Sequence, residues 1–400
     1  MAGDGKPLKR VKLNDDYGGI YLSFTQNELR KLKLALSLID HKLSGYGVGI
    51  SKITVCDALC SKSFSAATCD CEVFCKPCIK NDGSVSVPEG YNLSGIFQYG
   101  FDMLESYIAS QEYIPQRKGV RLALAKLLMF LSDKGSTEKA LSHVPVDVTL
   151  AEWTVIVAHH LLSKLTIGSH YVLDRVCKGK CKDMMCTCGC RERLTGQCGD
   201  TTLGVPSYWY RRTDIMMDVP VTTLATEESE TPVGEGHSSP TEMKPSQSLP
   251  ASKEHIRAET IIHSFLQKKY HPELDNFLIP TIAMSRTHVA VCMYDCENDV
   301  FLETPLLNLF QGKFLKEATV VTLWLALNFK YCCSGVPDEI MDTAFKADFF
   351  KQVGPVLENY FSDVTAPCDY RPKHEWLVVP KFGKVKGKVD NVNQIYRPPK

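Results

Sequence analysis

The sequence predicts an α+β chain whose mainly helical N-terminal half carries two cysteine-rich knots and is joined by a flexible linker to a smaller α+β C-terminal domain. Two capping boxes, Thr25-x-x-Glu28 and Thr149-x-x-Glu152, each open an apolar stripe of helical period. A β-rich run, His288–Tyr294, is followed by the turn-forming Asp295–Asp299 and a second β-rich run, Val300–Thr304, the pattern of a hairpin. Twelve of the 17 cysteines fall into two short segments.

In chain order, residues 1–20 read as a flexible basic arm. The helix opened by Thr25 places Leu29, Leu32, Leu36, Ile39 and Leu43 on one side, with Gly45 as its stop. The first knot follows, then helical segments over Phe97–Ser110, Val120–Asp133 and Thr149–Leu165. The second knot ends this helical domain, which spans 21–218. Residues 219–254 are rich in Thr, Ser, Pro and Glu, which bury too little apolar surface to offset ordering entropy, so a disordered linker is expected there. The α+β domain, 255–366, holds a helix over Ile256–Lys269, the hairpin, an apolar segment Ala318–Lys330 and a helix from Pro337 toward Val353. A basic tail, 367–400, completes the chain.

Cysteines spaced this closely direct their sulfurs into one small volume, which in a reducing compartment points to thiolate–metal coordination. The first knot comprises Cys56, Cys60, Cys69, Cys71, Cys75 and Cys78; the second comprises Cys177, Cys181, Cys186, Cys188, Cys190 and Cys198. Zn²⁺, two to four ions, is the expected cofactor, because tetrahedral zinc takes sulfur ligands in pairs two to four residues apart. Cys75-x-x-Cys78 with Cys56-x-x-x-Cys60 completes one such site. Six thiolates in the second knot make one and a half sites, so a histidine joins, a thiolate bridges two ions, or the knots meet. His170 is the nearest histidine in sequence. Clustered free thiols in a reducing cell and disulfides, which need an oxidising location, are the competing readings. Cys292, Cys332 and Cys333 read as small core residues.

The 46 basic and 46 acidic residues cancel, so binding to nucleic acid must come from local patches. Lys9, Arg10 and Lys12 beside Pro7 resemble a short nuclear import signal, which implies an import receptor as partner and a nuclear location, with the cytoplasm as alternative. Lys384, Lys386 and Lys388 are the expected nucleic-acid contacts. No apolar run is long enough to span a membrane, and the first 19 residues lack the apolar core of a signal peptide.

The functional expectation is a non-enzymatic nuclear zinc protein that contacts nucleic acid or a protein partner. The alternative is a metal-dependent nuclease, or a transposon- or virus-derived enzyme, using Glu273, Asp275, Asp295, Asp299 and Glu303. It lacks the lysine that such a core places two residues after its second acid, since Thr304 and Pro305 follow Glu303. His159 and His160 point about 100° apart on a regular helix, so the expectation is a solvated His159 and a partly core His160. No glycine-rich phosphate loop is present, and no residue stands out as catalytic.

Overall fold

A computed structural model describes residues 11–12, 21–22, 24–41, 45–55, 57–74, 91–142, 144, 148–181, 184–217, 222–225, 253–341 and 345–367. Among these, Cys56, Cys75 and Cys78 do not appear, nor do Lys9, Arg10, Lys384, Lys386 and Lys388. Helices and antiparallel pairing dominate, as an α+β chain requires. No described helix is long and apolar enough to cross a membrane.

Among the described residues the centre is a sheet of ten strands: β1 (Gly49–Val55), β2 (Cys69–Phe74), β3 (Tyr171–Asp174), β4 (Gln197–Gly199), β5 (Ile215–Met217), β6 (Thr222–Ala225), β7 (Leu278–Met284), β8 (His288–Asp295), β9 (Val300–Glu303) and β10 (Leu307–Asn308). Their spatial order is β2-β1-β9-β8-β7-β6-β5-β3-β4, with β10 pairing β8. The pairs β6–β7 and β3–β4 are parallel and the others antiparallel.

This topology corrects the expected division into two domains. β6 falls inside the interval read as a linker, and β7 to β9 of the C-terminal half lie between strands of the N-terminal half in one sheet. The Thr-rich strand looks like linker by composition, but its backbone pairs with β5 and β7. The arm is corrected too: Val11–Lys12 pairs antiparallel with Tyr21–Leu22.

Both capping boxes form. Thr25 and Thr149 accept the N–H of Glu28 and Glu152, and each glutamate accepts the cap's N–H in return. The hairpin forms in the register Cys292↔Glu303 to Asp295↔Val300. The helix expected from Pro337 does not run through to Val353. Pro337 caps a 3₁₀ turn, Asp338–Ile340, and Asp348 at φ 63° turns the chain before a short helix, Phe349–Val353.

The Lys253–Tyr270 helix lies across β7 and β8, and the Phe64–Ala66 turn and the Leu357–Ser362 helix also pack on it. The Glu317–Leu327 helix covers the same two strands, and every residue of β7 is buried, so these strands are covered on both faces. Burial from Ile256 to Gln267 forces the polar residues of that helix to find partners inside. Arg257 pairs with Glu303, Ser264 donates to the Phe277 carbonyl, and the Gln267 amide donates to His263 Nε2.

His263 is wholly buried, and its pKa is lowered to about 3, chiefly by desolvation and then by His271. Unfolded, it titrates near the ordinary value of about 6.5. Between those values the unfolded chain binds the additional proton, so this group's contribution to stability is lost as pH falls from 6.5, at about 1.4 kcal/mol per pH unit. His263→Gln should flatten the dependence of the urea midpoint on pH between 6.5 and 4.5. Parallel pH profiles for the variant and the natural chain would rule this out.

Candidate metal centre

The Thr149-capped helix begins as a regular α-helix, Leu150–Val157, and widens to a π-turn over Ala158–Leu162. Such single π-turns gather at functional sites. Two hydroxyls secure the carbonyls of the widened turn: Ser163 Oγ donates to the His159 carbonyl at 2.7 Å, and Thr137 Oγ1 to the His160 carbonyl at 2.8 Å. The turn carries both histidines, with their rings 4.8 Å apart and edge to face.

Opposite this turn, the chain from Met184 to Leu194 folds back on itself. Leu194 N–H donates to the Met184 carbonyl, and Cys186 N–H to the Glu192 carbonyl. Three residues with positive φ make the reversal: Met184 at 58°, Gly189 at 82° and Arg191 at 59°. Met184 and Arg191 are non-glycine residues in a conformation that costs on the order of 1–2 kcal/mol each, and such residues cluster where a binding site over-determines the backbone. Thr187 Oγ1 ties the loop to the helix by donating to the Glu152 carbonyl.

The result is a group of four side chains, His160, Cys186, Cys188 and Cys190, whose ligand atoms all lie within 4.8 Å of one another and could hold a metal ion. His160 Nε2 is 3.1 Å from Cys188 Sγ, 3.4 Å from Cys186 Sγ and 3.5 Å from Cys190 Sγ, and the Cys186 and Cys188 sulfurs are 3.4 Å apart. Cys190 Sγ also accepts the Glu192 N–H. Three sulfurs and one imidazole form a donor set suited to a thiophilic divalent ion.

The electrostatics favour a ligand role for the imidazole. Burial, His159 and Lys164 lower the His160 pKa to about 4, so the ring is neutral at physiological pH with a lone pair free for a cation. Burial pushes the Cys186 and Cys190 thiols up, so these sulfurs give up their protons only when a cation arrives, and binding releases protons. His159 points elsewhere, pairing through Nε2 with Glu192 Oε2 at 3.0 Å. It is 5% exposed, which corrects the expectation that it is solvated. The set His159, His160 and Glu192 also converges, and it shares His160 with the sulfur-rich group.

The other expected site residues take different places. His170 is outside this group, with Nδ1 against the Thr195 carbonyl at 2.8 Å. Cys177 and Cys181 lie in and just after the Arg175–Gly179 turn and Cys198 on β4, and none of the three belongs to this group. In the first knot, Cys69 and Cys71 lie on one face of β2, Cys60 is exposed with its thiol donating to the Asp57 carbonyl, and the other three lie outside the described residues. Cys292, Cys332 and Cys333 are buried.

The acids of the nuclease alternative do not converge. Asp295 accepts the Glu297 and Asn298 N–H groups, Asp299 takes the Tyr294 hydroxyl and the Phe350 N–H, and Glu303 pairs with Arg257. Glu273 sits by His271, and Asp275 is exposed.

His160 is the member of the converging group that sequence reasoning missed. The available signal was a polar pair inside the otherwise apolar run Val155–Leu162, with His160 26 residues before Cys186. No protein-family model, curated protein or solved structure matches the chain.

Proposed function

We propose that the chain is a non-enzymatic interaction protein in which a zinc ion, held by His160, Cys186, Cys188 and Cys190, fixes a basic loop for contact with nucleic acid. The convergence of these four side chains carries the reading. Ligand bonds of about 2.0–2.3 Å in a tetrahedron separate neighbouring donors by about 3.5–3.8 Å, and the observed separations of 3.1–3.5 Å are a slightly contracted version. Three thiolates leave the zinc complex with one negative charge, and Lys164 lies close enough to act on His160 and Glu192.

In the loop that carries the centre and the turn before it, Lys178, Arg191 and Arg193 are exposed, while Arg175 pairs with Asp200 and Lys180 with Glu152, a local set of cations on a chain of zero net charge. Exposed guanidinium and ammonium groups suit phosphate, and their effect is sequence-independent and salt-sensitive. In fluorescence anisotropy with single- and double-stranded oligonucleotides, Lys178→Ala with Arg193→Ala should weaken binding and reduce the salt slope by about 0.7–0.9 per lost contact. Undetectable binding at low salt sinks the nucleic-acid part. Less than one zinc equivalent in protein purified without chelator sinks the metal part.

The nuclear location rests on the arm. Lys9→Ala with Arg10→Ala is expected to move a tagged chain from nucleus to cytoplasm, and unchanged nuclear signal on imaging would dispose of that expectation.

A further inference from the structure

Glu192 makes three contacts at once beside the sulfur-rich group. Its N–H donates to Cys190 Sγ at 3.4 Å, its carbonyl accepts the Cys186 N–H at 2.9 Å, and its carboxylate meets His159 Nε2 at 3.0 Å. With that last contact it belongs to a second converging set, His159, His160 and Glu192, whose ligand atoms also lie within 4.8 Å of one another. The donors differ in kind from those of the first set: two imidazoles and a carboxylate replace one imidazole and three sulfurs. Both rings are buried, whereas the Glu192 side chain is 54% exposed, so this set has one donor in solvent and two behind it. A carboxylate can only accept from His159 Nε2–H, which leaves the ring's lone pair on Nδ1, a buried atom with no hydrogen-bond partner among the described residues.

We propose that His159, His160 and Glu192 form an entry position for a divalent cation, from which zinc passes to Cys186, Cys188 and Cys190 without leaving His160. This rests on the sulfur centre proposed above and names how that centre is filled. Cys190 is exposed as well. A thiol, however, must part with its proton before it binds, whereas a carboxylate meets a hydrated cation as an anion. Two histidines and a glutamate are a zinc donor set that keeps one position open, and an open position is where an incoming sulfur can attach. On entry the ion takes the place of the hydrogen between His159 Nε2 and Glu192 Oε2, and that proton passes to Nδ1 of the same ring. On transfer three S–H bonds break, three protons pass to solvent and three zinc–sulfur bonds form. The bonds to Glu192 and His159 break, and the ring's proton returns to Nε2. Zinc comes to rest on the sulfurs because thiolate is the softer donor.

The same position is the way out, so the test follows release of zinc from the full, reduced, zinc-loaded chain. Excess chelator is used, at concentrations where the rate no longer depends on it. Glu192→Gln and His159→Gln should each keep one zinc equivalent by native mass spectrometry and release it several-fold more slowly than the natural chain. Glu192→Asp retains a carboxylate and should restore most of the rate. A pair that merely braced the loop would give the opposite result, since loosening the loop speeds release. Equal or faster release from both variants therefore overturns the proposal. So does a second zinc equivalent in the natural chain that Glu192→Gln removes, because the set would then be a permanent site. If His159→Gln, at a buried position, does not fold, Glu192→Gln decides alone. A natural chain with no zinc equivalent counts against the sulfur centre itself and takes the entry position with it.

Discussion

His160→Ala should lose one zinc equivalent and much of the folded state, because a structural zinc site contributes on the order of 10 kcal/mol. The loss should not stay local. The loop that holds Cys186 to Cys190 lies between β3 and β4, at one end of a sheet whose other strands come from both halves of the chain. Metal loss should therefore lower a single cooperative melt, where two domains on a flexible linker would give one shifted transition and one unshifted. His160→Cys offers a fourth thiolate and should restore metal content. An alanine variant that keeps its zinc by mass spectrometry and melts with the natural chain would falsify the assignment of His160 as a ligand.

Asp57→Ala is expected to destabilise by about 4 kcal/mol, as two buried N–H groups lose their acceptor at about 1–3 kcal/mol each. Asp57 is 4% exposed and follows β1. Its carboxylate takes the Thr68 N–H at 3.1 and 3.2 Å, the Trp209 indole N–H at 3.1 Å, and Lys62 at 3.1 Å. It thereby ties the β1–β2 connection to a buried tryptophan from beyond the second knot. Oδ1 takes both N–H groups, so Asp57→Asn, with its amide oxygen in that place, keeps their acceptor and should cost less than half as much. Equal urea midpoints for alanine, asparagine and the natural chain would show that this node is not holding the two segments together.

What could be read from sequence follows from how local each signal is. A capping box needs four residues and a stripe, so Thr25 and Thr149 marked their helices. The β8–β9 hairpin was readable because turn residues stand between its two runs. β7 was not: Leu-Ile-Pro-Thr-Ile-Ala-Met is buried on both faces, so no alternation marks it. Pro280 argues against a central strand, yet β6 begins only opposite Thr281, so no β6 residue stands opposite the proline. β6 itself carries the composition of a linker and is defined by its pairing with β5, just before it, and with β7, more than 50 residues after it. For the candidate centre, spacing identified the cysteines but not how they divide. That division depends on a π-turn, whereas the reasoning that set His159 and His160 aside assumed a regular helix.

The placement of β1 and β2 bears on how the chain is made. Ser51 pairs with Phe301, about 250 residues later. At the usual 5–20 residues per second, the β1–β2 hairpin waits roughly 12–50 s on the ribosome before β9 emerges. Through that interval β1 offers an unpaired edge that includes Ile50 and Ile53. Assembly of the sheet is thus set late in synthesis, by the arrival of β7 to β9, and a cell making this protein must shelter the hairpin until then.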